Sequence, residues 1–149
     1  MAASSRITSP VTGSRRSYTR GVTTTTVQQR SAITRARWLA GMLLGIGTAH
    51  FAWPKPFDSI IPVELPGSAR FYTYASGVAE VVIGALLLVP STRRRAGLAA
   101  AALFVAVYPG NLNSVRLFWD KPWLRAATLA RLPLQIPMVT AALRVWRHG

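Results

Sequence analysis

The chain has 149 residues, half of them hydrophobic, with no cysteine and a formal charge of +14. The lack of Cys excludes disulfides, thiolate metal sites and a Cys-x-x-Cys relay, and two histidines with four acids are too few for a conventional metal cage. The cations form no single stripe with interleaved aromatics, as a nucleic-acid surface would, but gather in the N-terminal segment and at the ends of apolar runs, the pattern of membrane proteins.

Residues 1–34, "MAASSRITSPVTGSRRSYTRGVTTTTVQQRSAIT", are rich in Ser, Thr and Arg and contain no acid. Such a composition supports no core, so the segment is predicted to be a disordered basic tail ahead of a membrane domain at 35–149. An organelle transit peptide and a bacterial tail share this character. A secretory signal is not expected, because the first apolar run begins too late and no small-residue cleavage site follows it.

Four apolar runs follow, predicted as helical spans at about 37–53, 71–90, 96–112 and 125–146. The first, "RWLAGMLLGIGTAHFAW", has a Trp at each end and about the minimum length for a span. The second is about 30 Å long as a helix, one hydrocarbon core. The third, "AGLAAAALFVAVYPGNL", has no polar face, and neither does the second. The fourth holds Arg131, Pro133, Gln135 and Pro137, and internal proline is tolerated in membrane bundles. A chain this small cannot bury four apolar helices in its own core. The predicted fold is therefore an all-α four-helix transmembrane bundle.

Arg30, Arg35, Arg37, Arg93, Arg94, Arg95, Arg144 and Arg147 fall on one side of these spans, and a mixture of acids and bases falls on the other. The positive-inside rule then puts both termini in the cytoplasm of a bacterial cell, with the protein multi-pass in the inner membrane. The loops 54–70 and 113–124 face outward.

On that topology the polar residues inside the spans share one level. Glu80 lies about nine residues, roughly 14 Å, from the outer end of its helix, and Arg131 and Gln135 lie about 9 and 15 Å down theirs. His50 and Asn111 sit near the same interface. Thr73, Ser76, Gly77 and Gly84 share the face of Glu80, so the carboxylate points into the bundle. An isolated carboxylate at this depth is costly, and Arg131 is the natural counter-charge. The expected arrangement is an interhelical Glu80–Arg131 pair, with His50, Asn111 and Gln135 completing a candidate site. The five Trp residues, 38, 53, 119, 123 and 146, read as interface anchors, and "GMLLG" at 41–45 as a small-xxx-small packing motif. The loop "PKPFDSIIPVELPGSAR", 54–70, is too apolar for open solvent and is predicted to fold over the outer mouth of the bundle.

The ordered set "AHFAWPKPFDSIIPVELP", "YASGVAEVVIGALLLVP", "RRRAGLAAAALFVAVYPGNL" and "RLPLQIP" resembles the DoxX-like family of small bacterial membrane proteins over about residues 37–147. The resemblance implies a four-helix membrane bundle. Some members are linked to thiosulfate:quinone oxidoreduction and others to membrane complexes handling thiols, and the missing cysteines argue against a thiol relay in this chain. The functional expectation is a membrane component of a quinone-linked redox system. It has no intrinsic cofactor or metal, takes electrons through an oxidoreductase partner and sits in the lipid bilayer, with homo-oligomerisation open. A non-enzymatic scaffold or assembly factor and a small proton-coupled transporter are the alternatives. Catalytic residues are not assigned by sequence, and whether the chain is an enzyme stays open.

Overall fold

A computed structural model describes residues 15–149, with side chains from residue 26 onward. The described residues form six helices and no strand: α1 (Arg15–Ala52), α2 (Pro54–Ile60), α3 (Ala69–Leu88), α4 (Arg93–Ala106), α5 (Tyr108–Leu117) and α6 (Pro122–His148). Part of the segment expected as a tail, residues 1–34, is taken up by α1. Helix α1 begins at Arg15 and runs through residue 35 without a break, and Ala32 is already buried. Once a helix is nucleated each added residue brings a hydrogen bond, so α1 extends beyond its apolar half. The remaining part of the expected tail, residues 1–14, lies outside the described residues.

Helix α1 packs along α3, and α4 along α6. Contacts of α1 with α6 and of α3 with α4 close a four-membered ring. Neighbours in the ring run antiparallel. A side chain added at Gly84 would meet Leu44 and one at Gly77 would meet His50, while one at Gly97 would meet Trp146 and Ala142. Helices α3 and α6 are therefore diagonal to each other, as are α1 and α4.

Three helical segments are long and apolar enough to cross a membrane: Ala69–Leu88, Arg93–Leu117 and Pro122–His148. The expectation of four spans is corrected at the first. The apolar part of α1 is short, is diluted by Gly41, Gly45, Gly47, Thr48 and His50, and joins a polar half carrying Arg30, Arg35 and Arg37. The third expected span is interrupted at Val107, where α4 ends and α5 begins. Pro109 has no N–H for the carbonyl four residues back and its ring crowds that carbonyl, which accounts for the break. Helix α6 continues through Pro133 and Pro137.

Sequence pattern decides which faces meet. The buried residues of α3 are Thr73, Gly77, Glu80, Gly84 and Leu87, spaced four, three, four and three apart, a single helical stripe. On α1 the matching stripe is Ala36, Leu39, Ala40, Leu43, Gly47 and His50. Gly47 and Gly77 allow the two backbones to touch: a Cβ on Gly47 would stand 2.9 Å from Glu80 Cβ and 3.0 Å from the Gly77 carbonyl. Gly41 and Gly45 do not contribute. Both are exposed, and an added Cβ at either would meet nothing within 4 Å.

The apolar core occupies one half of the ring. It joins Leu39, Ala40 and Leu43 to Leu87, Ala96, Ala100, Phe104, Ala142 and Val145, and its alanines set close helix spacing. Arginines close this end. Arg93 donates from Nε to the Leu87 carbonyl (3.1 Å) and from Nη2 to the Leu88 carbonyl (3.2 Å), and Arg94 Nε donates to the Trp146 carbonyl (3.0 Å). These are last-turn carbonyls of α3 and α6, which lack intrahelical donors and carry the negative end of the helix dipole.

The opposite end is covered by α2 and the turn after it. Asp58 on α2 binds Arg70 at the start of α3, with Oδ2 2.8 Å from both Nε and Nη2. Asn113 Nδ2 donates to the Ile60 carbonyl (3.0 Å), tying the same cover to α5. Tyr72 donates its hydroxyl to the Pro66 carbonyl at 2.7 Å. Gly67, with φ +99°, reverses the chain so that Ser68 can cap α3 by accepting from the Phe71 N–H.

Candidate functional site

The half of the ring beneath α2 holds polar side chains instead of packed alanine. His50, Thr73, Glu80, Asn111, Ser114 and Gln135 are the buried polar residues among those described. A cavity of about 400 Å³ lies between them and the cover. His50, Thr73, Ser76, Glu80, Asn111 and Arg131 supply its polar wall, while Phe57, Ile60, Pro62 and Leu65 supply much of its apolar side.

Helix α1 brings His50 to this wall at its last turn. The ring donates from Nδ1 to the Ile46 carbonyl (2.8 Å), which leaves Nε2 as the acceptor in the neutral ring. Phe57 of α2 stacks on the imidazole with centroids 3.8 Å apart, so the cover rests directly on His50. Glu80 comes from the buried stripe of α3. Its Oε2 lies 3.4 Å from His50 Nδ1, whose hydrogen is already committed to Ile46. Oε2 is fully buried and has no hydrogen-bond partner.

Asn111 and Gln135 form a separate pair. Asn111 Nδ2 donates to Gln135 Oε1 at 2.8 Å, and Gln135 Nε2 donates to the Phe104 carbonyl. Phe104 is in the last turn of α4, where the break before Pro109 leaves carbonyls in need of donors. Ser114 donates to the Asn111 carbonyl at 2.6 Å and steadies that turn. Asn111 lines the cavity. Gln135 stands behind it and instead lines a shallow groove of about 390 Å³ on the outer surface, with Tyr108, Pro133 and Ile136.

Arg131 corrects the expected pairing. It lines the same cavity as Glu80, and its charge acts on Glu80 and His50 through space, but among the described residues it has no carboxylate within salt-bridge distance. Helices α3 and α6 are diagonal in the ring, and the two residues line the cavity from these opposite helices without an ion pair between them. The geometry thus brings His50, Glu80, Asn111 and Arg131 to one space, with Gln135 as a support behind it.

Asp58 belongs to the cover and lies outside the candidate spans. The Arg70 guanidinium bonded to it, together with the Thr73 hydroxyl beside it, holds its carboxyl below the ordinary value of 3.8. Asp58, Phe57, Ser114 and the Phe104 carbonyl were not among the sequence-derived candidates. Phe57 carried a signal, as an apolar residue in a proline-rich outer loop.

The family comparison concerns this same ring. A family model described as Domain of unknown function (DUF8561) matches residues 39–146. The chain belongs to that family. The match begins at Leu39 in the buried stripe of α1 and ends at Trp146, so the DUF8561 domain comprises the ring and its cover without the basic half of α1. This overturns the resemblance to the DoxX-like family. Apolar runs with small residues, prolines at helix ends and Arg-rich turns recur in many membrane-type sequences and do not single out one family. No curated protein and no solved structure matches the chain.

Proposed function

We propose that this DUF8561 protein is a multi-pass membrane protein that binds a small molecule with a polar head in the cavity beneath α2. The observation that carries the proposal is Glu80, a carboxylate in the lining of a 400 Å³ cavity whose inner oxygen, Oε2, is fully buried and has no hydrogen-bond partner. A buried carboxylate oxygen left without a donor is costly, and a ligand or ordered water that donates to it removes the cost. The volume lies within the range of roughly 300–1,000 Å³ typical of ligand pockets. The apolar side and cover suit a ligand with an apolar body.

Membrane residence is supported by the outside of the ring. Phe71, Val78, Val82, Val105, Leu134 and Ile136 are exposed on its helices, and Leu112 of α5 and all five Trp residues are exposed as well. So much contiguous apolar surface calls for lipid. With α1 taken as the fourth crossing, the arginine-capped end faces the bacterial cytoplasm and the cavity lies in the outer half of the membrane. Both termini are then cytoplasmic. A quinone head is one occupant of the proposed kind. A redox role would need an oxidoreductase partner, and it no longer has a family resemblance behind it.

A second reading, a non-enzymatic scaffold or assembly factor, is favoured by the Asn111–Gln135–Phe104 chain, which locks α4, α5 and α6 in register. Native mass spectrometry of the purified full chain, alone and with a short-chain quinone or short-chain phospholipids, separates the readings. A retained small molecule that Ser76→Trp displaces, by filling the cavity, supports binding. If none of the probes is retained and Ser76→Trp changes nothing, the scaffold reading prevails.

A further inference from the structure

Glu80 and Arg131, an acid and a base, line one cavity with no ion pair between them. Glu80 is the only acid among the residues lining it, and its side chain is nine-tenths buried. His50, its nearest polar neighbour, spends its Nδ1 hydrogen on Ile46. Arg131 reaches the cavity from the diagonal helix with its guanidinium donors uncommitted to any carboxylate among the described residues. A wholly anionic ligand would be drawn to Arg131 and repelled by Glu80, and a wholly cationic one the reverse. A dipolar ligand complements both.

We propose that the cavity binds a zwitterionic head, with a primary ammonium at Glu80 and a phosphate or carboxylate at Arg131. The Glu80 carboxylate lines the cavity and its Oε2 has no partner in the folded chain, so the group calls for a hydrogen-bond donor, which a primary ammonium has and a quaternary one lacks. Quaternary ammonium groups are recognised by aromatic cages. Here Phe57 spends one ring face on His50, and Tyr72 is the only other Phe, Tyr or Trp among the lining residues. Guanidinium is suited to bidentate binding of phosphate or carboxylate. The ligand is either the head of a phosphoethanolamine lipid, with its glycerol and chains toward the apolar side, or a free molecule of the same chemistry.

This inference rests on the small-molecule reading above, and its test separates the two. Binding to the full chain in detergent is measured by titration calorimetry with short-chain phosphatidylethanolamine, phosphatidylcholine and phosphatidylglycerol, with free phosphoethanolamine, and with a short-chain quinone. The expected result is that phosphatidylethanolamine binds at least about tenfold tighter than the choline or glycerol lipid. Glu80→Gln and Arg131→Gln should each weaken it by at least about tenfold. Arg131 is exposed, so its variant keeps the fold even if the Glu80 variant does not. Phosphoethanolamine binding as tightly as the lipid assigns the site to the free molecule, and weaker binding assigns it to the lipid head. Equal affinity for the choline lipid, or unchanged affinity in Arg131→Gln, overturns the inference. If the quinone binds and phosphatidylethanolamine does not, the zwitterion fails and the small-molecule reading stands. If nothing binds, both fail.

Discussion

His50 Nδ1 stands 3.4 Å from Glu80 Oε2, yet its hydrogen is donated to the Ile46 carbonyl 2.8 Å away. The imidazole is thereby oriented by its own helix and pinned by Phe57, and it does not satisfy the carboxylate beside it. A proton-sharing His–Glu pair would need the ring turned and the stack broken. Glu80 is in consequence a buried acid that the folded chain leaves wanting a donor.

Glu80→Gln tests that description in the ligand-free protein. Removing a buried charge without a partner relieves a desolvation cost, so unfolding stability in detergent should stay the same or rise, by up to about 3 kcal/mol. A member of a structural ion pair behaves oppositely, because its loss strands the partner and costs about 3–5 kcal/mol. Denaturant-induced unfolding followed by circular dichroism distinguishes the two.

Helix contact between α1 and α3 depends on Gly47 and Gly77, not on the more conspicuous Gly41 and Gly45. A methyl at Gly47 or Gly77 would sit about 3 Å from the opposing backbone carbonyl, so Gly47→Ala and Gly77→Ala should each destabilise by about 1–3 kcal/mol. Gly41→Ala and Gly45→Ala meet open space and gain helix propensity, so they should be neutral or slightly stabilising. Thermal unfolding of the four variants checks the ordering.

Asn111→Ala removes the donor to Gln135 Oε1 and leaves a buried acceptor unsatisfied, at a cost of about 1–3 kcal/mol. Gln135→Ala strands the Asn111 donor and frees the Phe104 carbonyl. A double-mutant cycle should show the two losses to be strongly non-additive, since both residues belong to one chain of hydrogen bonds.

The cover is held by a carboxylate whose folded pKa is depressed by Arg70 and Thr73. A depressed acid contributes stability above its ordinary value of 3.8 and loses it as pH falls through the lower folded value. Protection of residues 54–67 against hydrogen exchange, corrected for the intrinsic rate, should therefore be full above about pH 4 and be lost progressively as pH falls below it. Asp58→Asn should show fast exchange in that segment already at neutral pH. If Asp58→Asn protects the segment as well as the native residue, the ion pair is not what holds the cover.

The polar level was legible in the sequence because helical period and depth are sequence quantities. Thr73, Gly77, Glu80 and Gly84 recur at intervals of three and four, and that stripe is the buried face of α3. The partner of Glu80 was not legible. Depth and facing put Glu80 and Arg131 at one level, but which helices adjoin is decided by the ring order, and α3 and α6 come out diagonal. The motif at 41–45 misled for a related reason: small-residue spacing identifies a face that can pack, while the contact face of α1 runs through Ala40, Leu43, Gly47 and His50. Family likeness misled because apolar runs, small residues and Arg-rich turns are common to many membrane-type sequences and do not single out one family.

Glu80 and Arg131 line a shared cavity and are not each other's partners. A double-mutant cycle of Glu80→Gln and Arg131→Gln on the unfolding stability of delipidated protein tests it most directly. The coupling energy should be under about 1 kcal/mol, as for groups separated by a cavity. A coupling of about 3 kcal/mol or more would show a direct buried pair and contradict it.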